Sequence, residues 1–136
     1  MTSPGEVLFL CSGNSCRSQM AEALVNARFP GWRAHSAGVR PAGSLHPMAL
    51  RVLQELGIEH RGSSKSVNDY RAHEFDLVVT VCDDAAEDCP VWLGRGLRKH
   101  MSFRDPAAAT GTEDERLAFF RTIRDEIAAA LPDLLT

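Results

Sequence analysis

The residues best suited to chemistry lie together near the start of the chain, in Cys11-Ser12-Gly13-Asn14-Ser15-Cys16-Arg17-Ser18. A cysteine, five intervening residues and an arginine supply what is needed to gather an oxyanion and attack it. The loop joins a short apolar run, Val7–Cys11, to a helix-like pattern, so its backbone meets a helix N-terminus. The N–H groups there have no intrahelical partner and the helix dipole is positive, which favours an anion. Gly13 permits, and Asn14 tolerates, the left-handed backbone that turns successive amides inward as a nest. Ser12, Gly13, Asn14, Ser15, Cys16, Arg17 and Ser18 are therefore the expected substrate-binding set. Arg17 adds a planar fork for two oxygens of a tetrahedral anion. The same positive field favours the thiolate of Cys11, and hence a nucleophile. Ser18 could donate a hydrogen bond to that sulfur.

Three further residues gain meaning from this loop. Asp105, in SFRDPAAAT, is an ordinary turn residue on its own. Reaching the same pocket, it could protonate a leaving oxygen. Cys82 and Cys89 flank the polar segment DDAAED. Their six intervening residues suit a structural zinc site poorly, since such sites use two to four, and no metal is expected. His35, His46, His60, His73 and His100 show no ligand spacing either. If residues 82–89 were helical, the two cysteines would lie roughly 10 Å apart along the axis. A disulfide needs less than about 7 Å, so oxidation is expected to unwind the segment.

Positioning these groups requires a scaffold, and the pattern of elements supplies one. Val7–Cys11 reads as a buried strand, Ser18–Phe29 as an amphipathic helix closed by Pro30-Gly31, and Arg33–Ser36 as a second strand. Pro47 opens a second helix, and Gly57 stands where a C-terminal glycine cap belongs. Asp76–Val81, DLVVTV, has the β-branched run of a strand covered on both faces. His100–Phe103 reads as a weaker strand. Thr112-Glu113-Asp114-Glu115 is a capping box opening a last helix, which Pro132 should frame or kink. Strands alternating with helices predict an α/β fold: one parallel sheet flanked by helices on both faces, residues 1–136 forming a single domain. Ligands of such sheets bind beyond the carboxyl ends of the strands. Cys11 and Cys82 both fall there.

Composition narrows the function classes. The 136 residues carry a formal net charge of −3, and the 15 Lys and Arg are scattered, which argues against a nucleic-acid or anionic-membrane surface. The start of the chain lacks a basic segment and its apolar run is short, so neither a secretion signal nor a membrane span is expected. A cytoplasmic monomer is the expectation, with four cysteines kept as thiols for catalysis.

Taken together, LCSGNSCRSQMAE, HSAG at 35–38, VVTVCDDAAEDCP at 78–90, FRDPAAATG at 103–111 and FFRTIRDEI at 119–127 resemble one group of enzymes. They are the thioredoxin-coupled arsenate reductases built on the low-molecular-weight tyrosine phosphatase fold. The resemblance implies a three-cysteine relay: Cys11 as nucleophile, Arg17 and the loop amides as oxyanion cradle, Asp105 as acid, and Cys82 and Cys89 as the relay pair. It implies arsenate as substrate, arsenic detoxification as role, and thioredoxin as electron donor, with no tightly bound cofactor. Some relatives hold a monovalent cation beside the loop through Asn, Glu, Ser and Asp. Asn14, Glu22 and Ser36 match, but Lys65 stands at the Asp position, so its ammonium is expected to replace the cation.

Arsenate and phosphate are tetrahedral oxyanions of similar size, so the cradle alone does not choose between them. The alternative is a low-molecular-weight protein tyrosine phosphatase working through a Cys11 phosphoenzyme. Phosphatases of the family carry aromatic residues after the Asp-Pro, whereas Ala107, Ala108 and Ala109 follow here. Ester hydrolysis also has no use for Cys82 and Cys89. A non-catalytic thiol module would leave Arg17 and Asp105 without a purpose.

Overall fold

The computed structural model describes residues 4–83, 92 and 94–135. Four parallel strands, β1 (Gly5–Cys11), β2 (Trp32–Gly38), β3 (Leu77–Thr80) and β4 (Leu97–His100), form one sheet in the order β2-β1-β3-β4. Three helices, α1 (Arg17–Arg28), α2 (Pro47–Gln54) and α3 (Glu113–Leu134), and two short 3₁₀ turns, Val67–Tyr70 and Pro106–Ala108, complete the described elements. This is the α/β fold that the alternation predicts.

β1 sits between β2 and β3 and is buried on both faces, which its continuous apolar run requires. Val7 and Phe9 face the core built with Met20, Leu24, Val52, Leu53, Phe120, Ile123 and Ile127 from the three helices. Leu8 and Leu10 face a smaller cluster with Ala37, Phe75, Val78 and Trp92, against which Val67 and Tyr70 of the first 3₁₀ turn pack. Helical elements therefore cover both faces, unequally. Residues 17–25 of α1 are all buried, because the helix is enclosed by the sheet, the other helices and the segment at 60–65.

The capping box forms as read: Glu115 N–H donates to Thr112 Oγ1 at 3.1 Å, and Thr112 N–H donates to Glu115 Oε1 at 3.3 Å. Gly57 takes the left-handed conformation (φ 77°) past α2. One element needs correction. β4 covers Leu97–His100, not 100–103, because it is an exposed edge strand with a polar sequence, while apolar Phe103 lies beyond it in the core. Pro132 lies inside the last turn of α3, which runs on to Leu134, with Leu131 and Leu134 anchored in the core. Among the described residues, no helix is long and apolar enough to cross a membrane.

Candidate active site

β1 ends at Cys11 and α1 begins at Arg17, so the loop between them hangs at the carboxyl edge of the sheet. Its conformation is imposed from outside. Ser12 C=O accepts from Arg40 N–H, Gly13 C=O from Ala42 N–H and Ser64 Oγ, and Ser15 C=O from His46 N–H, all at 2.9–3.0 Å. Asn14 C=O accepts from Gln19 Nε2 at 3.1 Å. In a trans peptide the N–H points away from its C=O. The amides of Gly13, Asn14, Ser15 and Cys16 are thereby turned to the opposite side, which is the concave one. The Asn14 amide shows this directly, donating to Cys11 Sγ at 3.3 Å.

Asn14 is the only non-glycine with positive φ (51°) among the described residues, and it is fully buried. Its side chain justifies the strain. Oδ1 accepts from Lys65 N–H at 2.8 Å and Gln19 Nε2 at 2.9 Å, while Nδ2 donates to Ser18 Oγ at 2.8 Å. A hydroxyl has one proton. With Asn14 donating to its oxygen, Ser18 keeps its own proton available for a Cys11 thiolate, whose Sγ is 2.8 Å away. A thiolate there can receive two hydrogen bonds, from the Asn14 amide and the Ser18 hydroxyl. Gly38, where β2 ends beside Cys11, makes room for the loop: a Cβ there would lie 2.5 Å from Ser12 O and 3.0 Å from Asn14 N.

Arg17 is buried and its Nη1 donates to Phe103 O at 3.0 Å, which locks the guanidinium beside the pocket. Asp105 lies across from it, Oδ2 at 4.0 Å from Arg17 Nη2, with a side chain 41% exposed. Its Oδ1 accepts from Ala107 N–H at 3.0 Å and caps the second 3₁₀ turn. Cys11 to Arg17, Asp105 and Ala107 line a pocket of about 90 Å³, room for several waters and so for a tetrahedral oxyanion. Ser18, expected in the substrate-binding set, is fully buried and does not line the pocket; it reaches the site only through the Cys11 sulfur.

Cys11 and Cys16 carry free thiols, but Cys82 is disulfide-bonded, which corrects the expectation of four resting thiols. Cys82 is buried in the same core cluster as Cys11. Val81 N–H donates to Leu10 O at 2.9 Å, extending the β1–β3 ladder, so Cys82 stands one residue past the level of Cys11. Cys89, and the expected unwinding of 82–89, lie outside the described residues. Cys16 is buried, and burial pushes its thiol up to about 12, so it is protonated at neutral pH.

Beside the loop, Glu22, Ser36 and Lys65 come together around Asn14. Ser36 Oγ donates to Glu22 Oε1 at 3.1 Å, and Lys65 Nζ lies 3.7 Å from the same oxygen and donates to Ser63 O at 2.8 Å. His60 Nε2 approaches Glu22 Oε2 at 3.4 Å and Gln19 Oε1 at 2.7 Å. Burial depresses the basicity of His60 despite Glu22. The roles of Gln19 and His60 as props of the loop were not read from sequence. Gln19 follows the motif directly, but His60 is 41 residues away from it and only folding joins them.

Residues 6–136 match the family model described as low molecular weight phosphotyrosine protein phosphatase. An arsenate reductase of Bacillus subtilis (strain 168) is 43% identical over 129 residues, covering 93% of this chain and 92% of that one. The crystal structure of an arsenate reductase from Archaeoglobus fulgidus superposes with a TM-score of 0.75 at 31% identity, over 93% of this chain and 98% of that one. An arginine phosphatase from Geobacillus stearothermophilus superposes at 0.72 with 27% identity, over 96% and 90%.

Proposed function

The chain belongs to the low molecular weight phosphotyrosine protein phosphatase family and is an arsenate reductase of it, and we propose that it works by a three-cysteine relay. Arsenate enters the pocket against the loop amides and the Arg17 guanidinium. The Cys11 thiolate attacks As(V), and an oxygen leaves as water, protonated by Asp105, giving a sulfur–arsenic(V) adduct. The Cys82 thiolate then attacks Cys11 Sγ. A sulfur–sulfur bond forms, the sulfur–arsenic bond breaks, and its electron pair stays on arsenic, which departs as arsenite. Cys89 attacks Cys82 in turn, freeing Cys11 and leaving a Cys82–Cys89 disulfide for a thioredoxin dithiol to reduce. Each transfer is a thiolate attack on sulfur, so access and thiolate fraction govern the rates.

One observation carries this reading: a free Cys11 sulfur, held by the Asn14 amide and Ser18 hydroxyl inside an oxyanion-sized pocket, with a disulfide-bonded Cys82 at the end of the adjacent strand. Among the described residues, the pocket wall carries Ala107 and no aromatic side chain to hold a phosphotyrosine ring. Lys65 acts as the cation of the loop: its ammonium neutralises Glu22 while its backbone N–H holds Asn14.

Arsenite production with thioredoxin and its reductase tests the relay. Cys82→Ser is expected to abolish reduction, and Cys89→Ser to allow one turnover per enzyme and no more. Full activity in both variants overturns it.

A further inference from the structure

At the opposite end of the sheet, three residues converge that the reaction does not use. Glu6 near the start of β1, His35 in β2 and His73 after the first 3₁₀ turn bring their polar tips together. Leu8 pairs with His35 across the ladder and Glu6 is two residues before Leu8, so Glu6 and His35 share a face. His73 closes over them from the loop. Both imidazoles point Nε2 at one oxygen: His35 to Glu6 Oε1 at 3.0 Å, His73 to the same atom at 3.2 Å. All three ligand atoms lie within 4.8 Å of one another.

We propose that Glu6, His35 and His73 form a binding site for a divalent first-row transition-metal ion such as Zn²⁺, remote from the reaction pocket. A carboxylate oxygen with two imidazole nitrogens is a ligand set used by this class of ion, and it leaves coordination positions for water. Metal–ligand bonds of about 2.0–2.1 Å at tetrahedral angles put neighbouring ligand atoms about 3.3 Å apart. The two Glu6–histidine separations are already close to this, and the histidine nitrogens lie within 4.8 Å of each other. Hydrogen bonds from His35 first, and from His73, hold the Glu6 carboxyl below the usual range, so it presents an anion.

The walls suit the purpose. His73 stacks on Phe75 at 4.4 Å between centroids, and His35 lies 5.6 Å from both Tyr70 and Phe75. These contacts restrict the imidazoles, which reduces the ordering cost of coordination. Side chains of Glu6, His35 and His73 are 29%, 23% and 37% exposed, so an ion can enter from solvent. Five strand steps separate Glu6 from Cys11, about 16 Å, so a metal here neither blocks the pocket nor requires the relay. Binding would tie the loop at 71–74 to β1 and β2.

Zinc also binds cysteine thiolates, so the test must report on the imidazoles. The probe is Zn²⁺ titrated into the intact protein while the five histidine ring signals are followed by NMR. The expected result is that His35 and His73 shift together, saturate at one equivalent and return on adding EDTA, while His46 and His100 stay. His73→Gln should weaken the zinc response of His35 at least about tenfold. The proposal is overturned if zinc leaves the His35 and His73 signals in place, as binding at cysteines alone would. A His35 response unchanged by His73→Gln also overturns it. Should that variant fail to fold, the wild-type titration decides by itself.

Discussion

Asn14→Asp separates the two jobs assigned to this residue. The substitution keeps an acceptor for Lys65 N–H and Gln19 Nε2 and keeps a residue type that tolerates positive φ. It removes the donor to Ser18. The Ser18 proton then turns from Cys11 Sγ towards the new carboxylate, so the sulfur loses one of its two hydrogen bonds and gains a negative neighbour. A hydrogen bond to a charged group is worth about 1.5–3 kcal/mol. At about 1.4 kcal/mol per tenfold, kcat/KM for arsenate should fall about 10- to 100-fold. Asn14→Ala removes the acceptor as well as the donor. It strands the partly buried Lys65 N–H, at about 1–3 kcal/mol, and puts alanine in the left-handed region, at about 1 kcal/mol more. Urea unfolding should therefore show Asn14→Ala destabilised by about 2–4 kcal/mol, and Asn14→Asp by less. Wild-type kcat/KM in Asn14→Asp, or a loss below about 1 kcal/mol in Asn14→Ala, would refute the division of labour.

Two other predictions test neighbouring groups. Burial raises the Cys16 thiol to about 12, so it stays protonated at pH 8 and iodoacetamide should label Cys11 and spare Cys16. Cys16→Ser should keep activity within about threefold, and a larger loss would give Cys16 a part in the chemistry. If the Lys65 ammonium takes the cation's place, adding K⁺ should leave wild-type activity unchanged, and Lys65→Ala should lose activity that K⁺ partly restores; a sharp potassium stimulation of the wild type sinks the idea.

What can be read along the chain is what depends on near neighbours. The Cys11–Arg17 loop is legible because strand, glycine, asparagine and helix start all lie within a dozen residues. The same holds for the Thr112–Glu115 capping box and for Gly57, whose conformations follow from local hydrogen bonding and backbone sterics. The position of β4 is not legible along the chain, because an edge strand has no buried face to impose an apolar run. Only the tertiary structure decided which distant groups support the loop: His60 through Gln19, Lys65 through Asn14, and Gly38 beneath Ser12. Likewise, nothing in their spacing joins Glu6, His35 and His73, which are 29 and 38 residues apart in succession. Local sequence sets backbone preference and periodic burial, whereas a site assembled across a sheet exists only once strand order and register bring its members together.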